Sequence, residues 1–249
     1  MSGRRTAVTW LVAGAAAVAG IAIVGAILVR ANDGGAPSPS SSGPRPVTAA
    51  EADRLAVMRF LLHQGRGVHF RTHVSTAGNV VSVAGLLDFH GPVGYGQVSS
   101  AGSSFTLQWT KRSLVAWPAA ETISEPPPDL PAGSPTARPL APAQSAVDTV
   151  LALLLELGLD RPDNAQLIRA NGARWVRSDT IAGTRVDVLQ GPAATADSAA
   201  SGGPLTYWVD ATGRLLRVEA YLGGGGRPTA VDLDAGSFTP FPRAADLPA

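Results

Sequence analysis

Cysteine is absent from all 249 residues. That excludes disulfides, a thiolate nucleophile, cysteine-ligated zinc and a lipid-modified cysteine. An exported domain of this size manages without disulfides, because its core is large enough to hold it together. Lysine is almost missing as well: Lys111 is the single one, and arginine supplies the rest of the positive charge. With abundant Ala, Gly and Pro, this points to a GC-rich coding genome. Charged residues make up only 16% of the chain. Residues 1–47 hold four arginines and one aspartate, which leaves 16 basic and 18 acidic residues beyond them, a net charge of −2. A basic footprint for phosphate contacts is lacking, so nucleic acid is not an expected partner.

Catalytic motifs are missing too. The chain contains no G-x-S-x-G and no S-x-x-K. "GGGGRP" at 223–228 lacks the Lys-Ser or Lys-Thr of a phosphate-binding loop. Four histidines occur, at 63, 69, 73 and 90. His69 and His73 would share one ion on a helix, but on a strand they lie about 13 Å apart. Asp232 and Asp234 share a strand face and read as a solvated edge. These absences predict a non-enzyme with no catalytic residue, no metal site and no cofactor.

What is present begins with an apolar run. "TAVTWLVAGAAAVAGIAIVGAILV", Thr6–Val29, carries no charge over 24 residues. As a helix it would reach about 36 Å, enough for a hydrocarbon core of ~30 Å. Arg4 and Arg5 precede it, which places residues 1–5 in the cytoplasm and the remainder outside. A cleaved signal peptide has a shorter apolar region and a small-x-small site, so an uncleaved single-pass anchor over 6–30 is expected. "ANDGGAPSPSSSGPRPV", 31–47, reads as a disordered linker with a reach of roughly 20–25 Å. An extracytoplasmic domain over 48–249 follows.

"TAAE" at 48–51 has the capping-box pattern and predicts a helix to about Gln64, stopped by Gly65. From Gly67 the period changes to two. "VHFRTHVS", "NVVSVAGLLDF", "VGYGQVSS", "SFTLQWTKR" and "SLVAWP" predict a five-strand antiparallel meander. The Pro-rich stretch 119–143 forbids a central strand or a helix interior and reads as a long loop, disordered or a lid. "SAVDTVLALLLELGLD" predicts a helix so apolar that nearly all of it must be buried. A short helix through "PDNAQLIRA" ends at Asn171-Gly172. Strands resume in "ARWVRSDTI" and "TRVDVLQG", and "PTAVDLDAG" is the last, before a tail over 236–249. The count is about ten strands and three helices.

"LTYWVDATGRLLRVEAYL", 205–222, predicts a hairpin closed by Ala211-Thr212-Gly213. That loop sets Asp210 opposite Arg214, Trp208 opposite Leu216 and Thr206 opposite Val218. One face would then be apolar through to Leu222, and the other, with Tyr207, Arg217, Leu205 and Glu219, mixed. This hairpin, with "RGVHFRTHVSTAGNVVSVAGLLDF" and "RSDTIAGTRVDVLQG", resembles the LolA-like superfamily of envelope lipid and lipoprotein carriers, closest to the mycobacterial LppX/LprG group. The resemblance spans roughly residues 50–235. It implies an α+β fold: a curved antiparallel half-barrel with helices on its concave side and a cavity for acyl chains or other apolar ligands. It departs from that group in lacking the lipid-modified cysteine, so the helix itself would be the anchor.

No binding residue transfers by name. The candidates are the apolar faces: Trp208, Leu216, Val218 and Leu222 of the hairpin, Phe105, Leu107 and Trp109 of the meander, and Leu151, Leu154 and Leu155 of the apolar helix. Cores and pockets use the same residue types, so each reads first as packing and then as lining. The first expectation is a membrane-anchored envelope protein that binds a lipid or lipidated ligand, with a preformed apolar cavity. The second is a non-catalytic regulatory or interaction domain for an envelope protein partner, with a closed core and an exposed patch or sheet edge.

Overall fold

The computed structural model describes residues 43–76, 78–119, 136–192, 203–222 and 227–236. Chain contacts fall into two units, Met1–Ser40 and Ser41–Ala249, and every described residue belongs to the second. The expected anchor over 6–30, residues 1–5, most of the expected loop and the expected tail beyond Gly236 lie outside the described residues. Among the described residues no helix is long and apolar enough to cross a membrane.

The first helix forms as its cap dictates. Thr48 Oγ1 accepts from the Glu51 N–H at 3.3 Å, and the Glu51 carboxylate accepts from the Thr48 N–H at 2.7 Å. Helix α1 then runs Ala49–Gln64 and stops at Gly65. Arg45 grips the same carboxylate through two hydrogen bonds of 2.7 and 2.8 Å. These bonds, opposed by burial, hold Glu51 down at about 2. Arg45 also lies 4.6 Å over the Trp175 ring. Held from two sides, Arg45–Pro46 form a short strand, β1, inside the stretch expected to be linker.

The five-strand meander is as expected: β2 Gly67–Thr76, β3 Asn79–Asp88, β4 Val93–Ser100, β5 Ser103–Trp109 and β6 Ser113–Pro118. Strand β7, Thr136–Pro139, extends it within the stretch read as loop. Prolines forbid a central strand, and β7 is an edge strand, the one place in a sheet that tolerates them. The chain then passes through α2 Ala146–Leu155 and α3 Ala165–Ala170 and re-enters the sheet at β8 Arg174–Ile181. From there β9 Thr184–Gln190, β10 Thr206–Asp210, β11 Leu215–Ala220 and β12 Thr229–Asp234 work back to β2. The result is one open antiparallel sheet of twelve described strands, ordered β1-β8-β9-β10-β11-β12-β2-β3-β4-β5-β6-β7. The two strands beyond the expected ten are the short edges β1 and β7.

All three helices pack on one face, the inner face. There Val68, Phe70, Val74, Val83, Leu107 and Trp109 of the meander join Leu55, Met58, Leu151 and Leu154 of the helices in one core. Trp109 is fully enclosed and donates its indole N–H to the Leu151 carbonyl at 3.0 Å. Its ring lies where a Cβ on Gly94 would sit, 2.1 Å from that position, so this strand position takes only glycine.

The hairpin corrects one expectation. Its turn is as read: Asp210 N–H bonds to the Arg214 carbonyl, and Gly213 adopts φ +92. Asp210 Oδ1 accepts from Thr212 N, Thr212 Oγ1 and Arg214 N at 2.7–3.0 Å. Beyond the turn, however, Val209 pairs with Leu215, and Trp208 pairs with Arg217 rather than Leu216. Leu216 is the extra residue of a bulge, and a bulge shifts every later pair. Val209, Leu215 and Val218 therefore join the inner core, while Trp208 and Leu216 pack with Val186 and Val188 in a separate outer cluster.

Candidate ligand pocket

Strand alternation puts Val81, Val98, Phe105, Leu107, Leu114 and Ala116 on the inner face. The cross-strand pairs Val98↔Phe105, Leu107↔Ala116 and Trp109↔Leu114 keep them there together. Helix α2 covers part of this face, with Val150, Leu151, Leu154 and Leu155 all at most 2% exposed. Beside its first turn the six residues, with Val147, line a cavity of about 750 Å³, where Leu107 and Leu114 are buried and Phe105 is open. Phe105 at its mouth is 47% exposed. That volume lies in the range of small-ligand sites, and the lining is an apolar wall with polar residues, Ser100, Ser103, Thr136, Arg138, Ser145 and Asp148, around it.

Two of the polar lining residues, Arg138 and Asp148, are charged, and they pair with each other. Arg138 of β7 forms a fork on Asp148 of α2, with Nη1 to Oδ2 at 2.5 Å and Nη2 to Oδ1 at 2.7 Å. The Ala141 N–H adds a bond to Oδ2 at 2.8 Å. Asp148 is fully buried, while the Arg138 side chain is 44% exposed. Burial pushes the Asp148 carboxyl up, but the Arg138 fork and the Ala141 N–H outweigh it and hold it below its ordinary range. The helix cap explains the position: Ser145 Oγ accepts from the Asp148 N–H at 3.3 Å, which sets Asp148 in the first turn of α2.

The sequence candidates divide three ways. Phe105 and Leu107 line the cavity. Trp109, Leu151, Leu154, Leu155 and Val218 are closed core, and Leu222 packs half-buried against it. Trp208 and Leu216 lie on the outer face, away from the helices. There the Trp208 indole N–H bonds to Asp179 at 3.0 Å, with the Arg177 and Arg217 guanidinium groups 5.6 and 5.8 Å from its ring. Val81, Val98, Leu114, Ala116, Val147, Arg138 and Asp148 were not foreseen. For Asp148 the signal was present, since S-x-x-D before an apolar run marks a helix start. Arg138 sits in the Pro-rich stretch with no pattern around it.

Two other hollows differ in chemistry. A groove of about 870 Å³ is lined by His69, Arg71, Arg214, Asp232 and Asp234 together with Ile181, Ala182 and Thr184, charged with both signs. A cleft of about 280 Å³ lies between α1, α3 and β10. There burial pushes the Tyr207 phenol up to about 12. The first is mainly charged and polar, and the second, though largely apolar, is the smallest of the three. Among the described residues, no group of three or more His, Asp or Glu side chains is placed to hold a metal ion.

No family model matches this chain, and no curated protein does. Among solved structures, a domain from Vibrio parahaemolyticus named for outer membrane lipoprotein sorting is similar at 13% identity and a TM-score of 0.31, covering 74% of this chain and 91% of its own. A DUF1329 family protein from Desulfovibrio piger is similar at 11% identity and a TM-score of 0.33, covering 75% of this chain and 91% of its own.

Proposed function

We propose that this chain is a membrane-anchored, extracytoplasmic protein of the cell envelope that binds a lipid or other apolar ligand without chemically changing it. In this reading it is a LolA-like protein closest to the LppX/LprG group, its sheet curves as a half-barrel, and the 6–30 run holds it in the membrane. The single observation that carries the reading is the cavity of about 750 Å³ between the inner face and α2. An apolar hollow of this size with a half-exposed phenylalanine at its mouth costs solvation unless something apolar fills it. A short tether then suits local handover at the membrane surface better than long-distance shuttling.

The second reading, a regulatory or interaction domain, draws on the charged outer groove of about 870 Å³. Native mass spectrometry of the full chain, followed by organic extraction, separates the two. Co-purifying lipid at a defined stoichiometry is expected. A clean unliganded mass after incubation with membrane lipids overturns the first reading in favour of the second.

A further inference from the structure

We propose that the cavity under α2 selects acyl amphiphiles with an anionic head, and that Arg138 is the residue that reads the head. The proposal rests on the lipid-binding reading above and adds the ligand's polar end. A guanidinium has five N–H donors in a fixed fork. Two are spent on Asp148 and one on the Pro139 carbonyl at 3.0 Å. The Nε–H and one Nη2–H take no partner among the described residues. Arg138 is the exposed member of its pair, and Asp148 the buried one. A ligand entering the cavity therefore meets the cation and its spare donors, with the carboxylate behind them.

The two charges of the pair are unequally exposed. Asp148 is also compensated by the Ala141 N–H and by its place in the first turn of α2, where the helix end carries partial positive charge. The carboxylate is thus satisfied on its buried side by three partners, and the guanidinium is the part of the pair left open to solvent. The lining given by Val81, Val98, Phe105, Leu107, Leu114 and Ala116 accommodates a chain, and no carboxylate other than Asp148 lines the cavity among the described residues. A carboxylate or phosphate head placed at Arg138 gains charge-assisted hydrogen bonds that a hydroxyl head does not. Both head types share this chemistry, so the test includes each.

The test uses the full chain in amphipol with three tritiated 16-carbon probes: palmitate, palmitoyl lysophosphatidate and hexadecanol. The expected result is that both anions bind roughly tenfold or more tighter than the alcohol, the scale of one charge-assisted hydrogen bond. The tighter of the two anions identifies the head as carboxylate or phosphate. Arg138→Met combined with Asp148→Asn removes both charges without leaving one buried alone. That double variant is expected to bind all three probes at the hexadecanol level, with its circular dichroism spectrum unchanged. If it fails to fold, Arg138→Lys keeps the ion pair but loses the planar fork, and its preference is expected to shrink. Equal binding of the three probes by the native chain overturns the head-group inference and leaves the pocket standing. Binding of none overturns both. A preference that survives the double variant removes Arg138 from the role.

Discussion

Over β8–β12 the inner face is covered by α1, with α3 packed beside it and a cleft of only about 280 Å³ left between them and β10, and polar links stitch that cover to the sheet. Over β4–β7 it is covered only as far as α2 reaches. On the sealed side Arg54 of α1 bonds to Asp187 of β9 at 2.7 Å, and Asp187 also accepts from Trp175 and Ser178 at 3.0 and 3.1 Å. Burial pushes the Asp187 carboxyl up, but these partners together hold it below its ordinary range. On the other side, the ion pair at the sheet edge and the Trp109 indole bond to the Leu151 carbonyl tie the sheet to the helix. A helix is about 10 Å wide and strands lie ~4.8 Å apart, so one helix roofs about two strands. Two helices roof one side and a single ten-residue helix the other. The cavity lies where the sheet runs out past the first turn of α2.

The largest expected effect comes from the sealed side. Leu189 of β9 is fully buried in the inner core. Leu189→Ala is expected to cost about 2–5 kcal/mol by leaving a cavity the neighbours do not fill, measured by urea unfolding. An effect below about 1 kcal/mol would show that this side is as loosely filled as the other.

A middle-sized effect belongs to the stitching and is pH-dependent. The Glu51 carboxyl sits at about 2 in the fold against an ordinary 4.5, mainly because of its hydrogen bonds from Arg45. A folded value below the unfolded one gives stability that is present above about pH 5 and lost as pH falls toward 2. Glu51 is itself buried but Arg45 is 43% exposed to solvent, so the contribution is discounted to about 1–2 kcal/mol. Stability of Glu51→Gln is expected to lose that amount at pH 7 and to converge with the parent near pH 2–3. Parallel pH profiles for the two proteins would remove Glu51 from the stitching.

The smallest effect on stability, and the sharpest contrast, is at Phe105. It shares the inner face with Leu189, yet it is nearly half exposed. Phe105→Ala is expected to change stability by less than about 1 kcal/mol while weakening binding of a 16-carbon probe by roughly tenfold. A loss of stability on the scale of Leu189→Ala would make it a core residue and close the comparison.

The sequence carried local chemistry well and long-range fit poorly. Thr48 and Glu51 announce the start of α1, Asn171-Gly172 the end of α3, and alternation from Val68 to Trp117 the meander, because each signal is set by neighbours in the chain. Leu216 shows where this fails. Alternation assumes one residue per pair, and a single bulged residue sends Trp208 and Leu216 to the face opposite Val218. Arg45–Pro46 and Thr136–Pro139 were missed because a two- or four-residue edge strand has too little alternation to count. Phe105 and Trp109 are indistinguishable by pattern. One borders a hollow and the other is fully enclosed, and only the reach of α2 separates them.

The pairing of β12 with β2 sets the order in which this protein is assembled. Thr72 Oγ1 bonds to the Ala230 carbonyl at 2.7 Å, across 158 positions of chain. These two strands stand at the middle of the sheet, with five strands beyond each. A chain emerging N-terminus first completes the β2–β6 meander from local contacts, but leaves one side of β2 unpaired until residue 234 has arrived. Such late, non-local closure makes for slow folding and a long-lived exposed strand edge. The vulnerable moment in the life of this protein is its emergence, when the future centre of the sheet is still its border.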